Sequence, residues 1–180
     1  MKIMGKFLFF DIDGTLVGKS KMVTEKTKLA IQNARQNGHR AFLCTGRAPT
    51  SIVGDIRNIE FDGAICSAGG FVIVDGEYIF ENFMNQYILS EVMTLFINNH
   101  ILFTLETKKA LYQTPGVNEF FDQKHQKDCE NNLELMRFFQ LRRMGENRLP
   151  IKDFNILTTG VTKVCFIAPN NQSFYDCVPF

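Results

Sequence analysis

Along the first third of the chain, short uninterrupted apolar runs alternate with stretches at helical spacing. Lys6 to Phe10 is apolar without alternation and stops at Asp11, the pattern of a strand buried on both faces of a parallel sheet. Thr24 is placed to cap a helix whose inward positions include Ala30, Ile31 and Ala34, and Gly38 supplies a left-handed stop. A second strand is predicted over Arg40 to Cys44, followed by a loop containing Thr45, Gly46 and Arg47. Pro49 then suits the first turn of another helix. After the turn at Asp62 and Gly63, Ala64 to Ser67 reads as a third buried strand. The succession strand, helix, strand, helix, strand predicts an α/β fold, a doubly wound, Rossmann-like parallel core in three layers.

The pattern changes after Gly70. Phe71 to Val74, the pair Asp75-Gly76 and Glu77 to Phe80 give the clearest β-hairpin signal in the chain. Glu81 to Gln86 reads as a hinge, so residues 1–81 are expected to form one domain and 82–180 a separate α+β lobe. In that lobe Ser90 is placed to cap a helix to about Asn99. Ile101 to Glu106 and Ala110 to Gln113 are expected to pair as strands, Asn131 to Met144 has helical spacing, and Lys163 to Ala168 reads as another strand. Ser173 reads as the cap of a last helix starting at Phe174 and Tyr175, so the lobe is expected to be incomplete.

Composition narrows the function classes. Lys and Arg total 20 against 19 Asp and Glu, a formal charge of +1, which gives no global field for nucleic acid or an anionic membrane. The run Phe7 to Phe10 is broken by Asp11 and Asp13, which excludes a signal-peptide core, and no later run is long enough to span a bilayer. Five cysteines, without a CxxC pair or zinc spacing to histidine, read as reduced thiols of a cytoplasmic protein.

The chemistry concentrates in Asp11-Ile12-Asp13-Gly14-Thr15. Two carboxylates at the carboxyl end of a buried strand, with a glycine that lets the chain turn away, can divide labour. One remains ionised as nucleophile or metal ligand while the other gives and takes a proton. A bare Asp-x-Asp pair is also a common acidic surface turn. A calcium loop is disfavoured, because its sixth and twelfth positions counted from Asp11 fall on Leu16 and Met22 where Gly and Glu are needed.

The segment DIDGT after an apolar strand resembles the first signature of the haloacid-dehalogenase superfamily. Cys44-Thr45-Gly46-Arg47 is similar to its second, a Thr or Ser that ends the second strand. The hairpin after Gly70 and the large lobe after it resemble the Cof-type subgroup, whose cap is inserted after the third core strand. The resemblance implies a hydrolase of small phosphorylated metabolites, sugar-phosphate-like, in which Asp11 attacks phosphorus to give an aspartyl phosphate. Asp13 would protonate the leaving oxygen and then deprotonate water. It also implies Mg2+ held by Asp11 and Asp13, with the Thr45 hydroxyl and the Gly46 amide on the phosphoryl oxygens. Arg47 is a further phosphate-binding candidate, although an arginine just after a strand serves equally as a structural ion-pair partner. Ala68-Gly69-Gly70 stands where many relatives carry Asn-Gly, so a plain turn is expected there.

The family also uses a lysine from a third signature and an acidic pair from a fourth, and nothing after Phe80 matches either, so the resemblance implies that the core is incomplete, its remainder absent. Lys163 is expected inside a strand, and Asp153 and Asp176 are isolated. Loss of one preorganised electrostatic partner commonly costs roughly a hundred- to a thousandfold in rate. This chain alone is therefore expected to be a poor phosphatase. The competing reading is a noncatalytic module that binds phosphate or magnesium. A receiver-type nucleotide switch also has acids at strand ends but has no need of the lobe after Phe80. Lys6 to Phe10 is further expected to form an exposed sheet edge capable of self-association.

Overall fold

The computed structural model describes residues 5–18, 22–129, 132–168 and 175. The chain divides into two compact units, Met1–Asn82 with Asp128–Glu146, and Phe83–Lys127 with Asn147–Phe180.

The first unit carries a five-stranded sheet in chain order, β1 (Phe7–Phe10), β2 (Arg40–Cys44), β3 (Gly63–Cys66), β4 (Phe71–Val74) and β5 (Glu77–Glu81). The first three strands run parallel and the last two are antiparallel additions. Helix α1 (Glu25–Gln36) makes the first crossover, capped by the Thr24 hydroxyl, which accepts from the Thr27 amide. Its packed face runs through Lys28, Ile31, Ala34 and Arg35. Ala30, expected inward, is exposed, because a helix turns about 100° per residue and Ala30 is rotated off the face that Ile31 centres. Ile31 joins Ile12, Val17, Ala41, Leu43, Ile56, Cys66 and Phe71 in one buried cluster.

Two local expectations differ. Pro49 opens only a 3₁₀ turn, Pro49–Ser51, and a second follows at Gly54–Ile56. The β-branched pair Ile52 and Val53 is extended between them, and Gly54 sits at φ 66°, so no regular helix can propagate. The third strand stops at Cys66, since Ser67 already has φ 50°. The hairpin is as expected: Asp75 and Gly76 both take positive φ, 51° and 85°, the backbone a two-residue type I′ turn requires.

Asp62 ties this unit together across its layers. It accepts two hydrogen bonds of 3.1 Å from Arg35 on α1 and one of 2.7 Å from the Ala41 amide of β2.

The second unit is a four-stranded sheet of β6 (Leu102–Thr107), β7 (Leu111–Gln113), β8 (Arg148–Pro150) and β9 (Val161–Ile167), in the order β8-β7-β6-β9. The pairing of β6 with β7 and with β9 is antiparallel, whereas β7 and β8 run parallel. Helix α2 (Gln86–Asn98) buries Leu89 against Phe103, Leu105 and Val161. It starts before Ser90, because Asn85 is the better cap: its Oδ1 accepts from the amides of Tyr87 and Ile88. Lys163 lies inside β9, as expected, and pairs with Glu106 at 3.0 Å.

Helix α3 (Val117–Cys129) carries few apolar residues at regular spacing, which hid it from pattern reading. Helix α4 (Leu133–Gly145) is capped by Asn132 and belongs by its contacts to the first unit. Its end lies so close to Val53 that a Cβ on Gly145 would fall 2.8 Å from Val53 Cγ1. The sequence pattern alone grouped this helix with the second lobe. The helix expected from Ser173 starts outside the described residues. Among the described residues, no helix is long and apolar enough to cross a membrane.

Candidate active site

Parallel pairing of β1 with β2 and of β2 with β3 brings the carboxyl ends of three strands to one edge of the sheet, with Phe10 beside Leu43 and Cys44 beside Ile65. The loops that leave those ends carry the polar residues. This is where open α/β sheets place ligands.

The first loop is built by its apolar members. Ile12, Leu16 and Val17 are buried at 0%, 6% and 1% exposure, and the chain folds back through hydrogen bonds from Leu16 N to Asp11 O and from Val17 N to Ile12 O. Gly14 makes this turn at φ 89°, a region that a side chain would disfavour. Because Ile12 points into the core, its neighbours Asp11 and Asp13 are turned outward. The Asp11 carboxylate is exposed and accepts no hydrogen bond from any described residue.

The second loop meets the first. Arg47 donates from Nε to Asp13 Oδ2 and from Nη2 to Asp13 Oδ1, both at 2.8 Å. Its side chain is 9% exposed, against 46% for Asp13, and its guanidinium carbon lies 5.9 Å from the ring centre of Phe138 on α4. The remaining nitrogen, Nη1, is buried without a hydrogen-bond partner among the described residues. Thr45 is buried at 5% exposure, and its Oγ1 accepts from the Arg47 amide at 3.1 Å, which leaves the hydroxyl proton for another acceptor. Gly46, between them, is exposed.

The third loop closes on the second: Ser67 N donates to Arg47 O and Ala68 N to Thr45 O. Ser67, Ala68 and Gly69 all have positive φ, and for the two non-glycines this is strained backbone of the kind that collects at functional sites. Sequence reading expected a plain turn here and had no signal for the strain. It also had no local cue for Phe138, which comes from a helix far along the chain. Thiol chemistry is not available from Cys66, behind this edge, because burial pushes its thiol up to about 12.

Of the residues singled out in the sequence, the structure thus joins Asp13 directly to Arg47 and Arg47 to Thr45, with Asp11 at the head of the same loop as Asp13. Residues 8–171 match the sequence profile of the haloacid dehalogenase-like hydrolases. The chain belongs to that family.

YkrA of Bacillus subtilis (strain 168), named provisionally as a phosphatase, is 30% identical over 77 residues, 43% of this chain and 30% of YkrA. The fold is shared with a haloacid dehalogenase-like hydrolase from B. subtilis, at a TM-score of 0.77 and 14% identity over 96% of this chain and 64% of that one. It is shared also with the subclass IIB sugar phosphatase BT4131, at a TM-score of 0.67 and 17% identity, covering 96% of this chain and 62% of that one. This haloacid dehalogenase-like chain therefore spans less than two-thirds of the length of each of these proteins.

Proposed function

We propose that this hydrolase acts on small phosphomonoesters of the sugar-phosphate type in the cytoplasm, with Asp11 as nucleophile and Mg2+ as cofactor. The observation that carries the reading is the exposed Asp11 carboxylate at the end of β1, without a hydrogen-bond partner among the described residues, beside a loop that fixes a second carboxylate at Asp13. Asp11 attacks phosphorus, the P–O bond to the leaving group breaks, and an aspartyl phosphate forms. Asp13 gives a proton to the leaving oxygen and takes one from the water that cleaves the acyl phosphate. The Thr45 hydroxyl, whose lone pair is engaged by the Arg47 amide, has its proton to donate to a phosphoryl oxygen, next to the Gly46 amide.

The donor set suits magnesium. The Asp11 carboxylate and the Asp13 carbonyl are hard oxygen donors, and Mg2+ is commonly held by one or two carboxylates together with phosphate oxygens and water. When bound, the ion neutralises charge that otherwise keeps a carboxylate and a phosphate apart. Four described cysteines, 44, 66, 129 and 165, are free thiols, in keeping with a reducing compartment.

A second reading, a phosphate- or magnesium-binding module without turnover, draws support from the thin donor set. Among the described residues no group of three or more His, Cys, Asp and Glu side chains could hold a metal. Release of phosphate from an aryl phosphate, with and without magnesium, separates the two. The catalytic reading expects weak magnesium-dependent release that Asp11→Asn abolishes. Saturable phosphate binding with no release in any condition would leave the binding reading.

A further inference from the structure

Arg47 is set by more than its carboxylate partner. Its side chain is 9% exposed although it leaves a loop, and only two of its five N–H donors, one on Nε and one on Nη2, bond to Asp13. Nη1 is buried and meets no oxygen among the described residues. A buried charged donor left unmade is costly, and native proteins seldom keep one without a reason. What does stand against the guanidinium is the ring of Phe138, itself 7% exposed, with Arg47 Cζ over the ring at 5.9 Å from its centre. An aromatic face attracts a cation, most strongly where water is excluded, so the ring offsets part of what an oxygen would have supplied.

The ring comes from far along the chain and is held firmly. Helix α4 rests on the two 3₁₀ turns that follow Arg47, Pro49–Ser51 and Gly54–Ile56, and Gly145 at its end lies against Val53. Glu146, with its side chain 1% exposed, accepts a bond of 2.7 Å from Arg142 Nε one turn earlier. A fixed helix thus packs Phe138 on Arg47 while Asp13 takes the guanidinium by its Nε–Nη2 edge.

We propose that Phe138 is a positioning residue for the acid–base step. By packing on the guanidinium it leaves Arg47 one way to bond, and through Arg47 it fixes the direction of the Asp13 carboxylate. The inference rests on the reading of Asp13 as the group that serves the leaving oxygen. Such a group works only within a narrow range of position, which its supporting residues must hold.

The test uses the whole chain and two readouts. In nitrogen–proton NMR spectra the Arg47 Nε–H is expected as a slowly exchanging signal with a through-space contact to the Phe138 ring. Phe138→Leu keeps an apolar side chain and removes the ring face. It is expected to speed exchange of that Nε–H by roughly two- to thirtyfold, the worth of a cation–π contact, while the α4 amides keep their helical shifts. Should this variant fail to fold, the wild-type signal still decides: exchange as fast as that of the exposed Arg57 would overturn the proposal. The second readout is kcat/KM on two esters. With 4-nitrophenyl phosphate, whose leaving oxygen needs no proton, Phe138→Leu is expected to match wild type. With ethyl phosphate it is expected to fall roughly tenfold, part of what a positioned acid supplies. A merely structural role would lower both alike, so equal losses on the two esters, or unchanged Nε–H exchange, would overturn the proposal. No release from either ester by the wild type overturns the catalytic reading of the site, and the exchange measurement then decides alone whether Phe138 sets Arg47.

Discussion

Arg47 grips Asp13 by both carboxylate oxygens, through two hydrogen bonds of 2.8 Å donated by Nε and Nη2. The planar guanidinium matches a carboxylate as a fork, which lysine cannot imitate. Asp13 is nearly half exposed, so solvent screens much of the Coulomb energy. In urea denaturation, Arg47→Lys is expected to cost about 1 kcal/mol, with a coupling of similar size to Asp13→Asn in a double-mutant cycle. Additive effects of the two substitutions would show that the pair contributes nothing to stability.

This pairing also shows what could be read beforehand. The Asp-x-Asp-Gly turn, the Thr45 loop and the parallel strands were legible because each is written in a few adjacent residues: an apolar run, a glycine, a polar strand end. Whether Arg47 faces phosphate or a structural ion-pair partner was open, since its pairing with Asp13 depends on two loops meeting 34 residues apart in sequence. Helix α3 was missed for the opposite reason, a polar surface with little periodicity. The grouping of α4 with the first unit rests on long-range contacts around Val53 and Arg47, which no local pattern encodes.

Asp62 makes the fold sensitive to acid. Burial pushes its carboxyl up, but hydrogen bonds from Arg35 and the Ala41 amide, with the charges of Arg35 and Arg40, outweigh that and hold it below the usual carboxylate range. The folded state thus releases this proton more readily than the unfolded chain. Its contribution is present above the unfolded value of about 4 and is lost as pH falls through the lower folded value. Asp62→Asn is expected to destabilise the protein by about 1–3 kcal/mol at neutral pH, the difference from wild type shrinking in denaturation curves below about pH 4. A constant difference from pH 7 down to pH 3 would contradict this assignment.

The start of α2 depends on one side chain. Asn85 Oδ1 satisfies the amides of Tyr87 and Ile88, two of the donors that a helix start leaves open. Asn85→Ala is expected to cost about 1 kcal/mol, whereas Asn85→Asp should be nearly neutral. Thermal denataturation followed by circular dichroism distinguishes this from a role for Ser90, whose replacement by Ala should have little effect on the helix.

The outer edge of β1 gives the last prediction. In the sheet β1 pairs with β2 and stands at the end of the order, and Phe7 and Phe9 are 64% and 57% exposed. Both rings pack against Phe42, at 5.9 and 5.5 Å between centres, so exposed aromatic surface stands beside the outer backbone of β1. Natural sheets usually blunt such edges with charge or proline, and this strand has neither between Phe7 and Phe10. Sedimentation at rising concentration is therefore expected to show association that persists in high salt, because its source is apolar contact and strand pairing. Phe9→Lys should shift the protein toward monomer with its circular dichroism unchanged. A wild-type protein that stays monomeric, with slow amide exchange throughout β1, would mean that the edge is protected from within the chain.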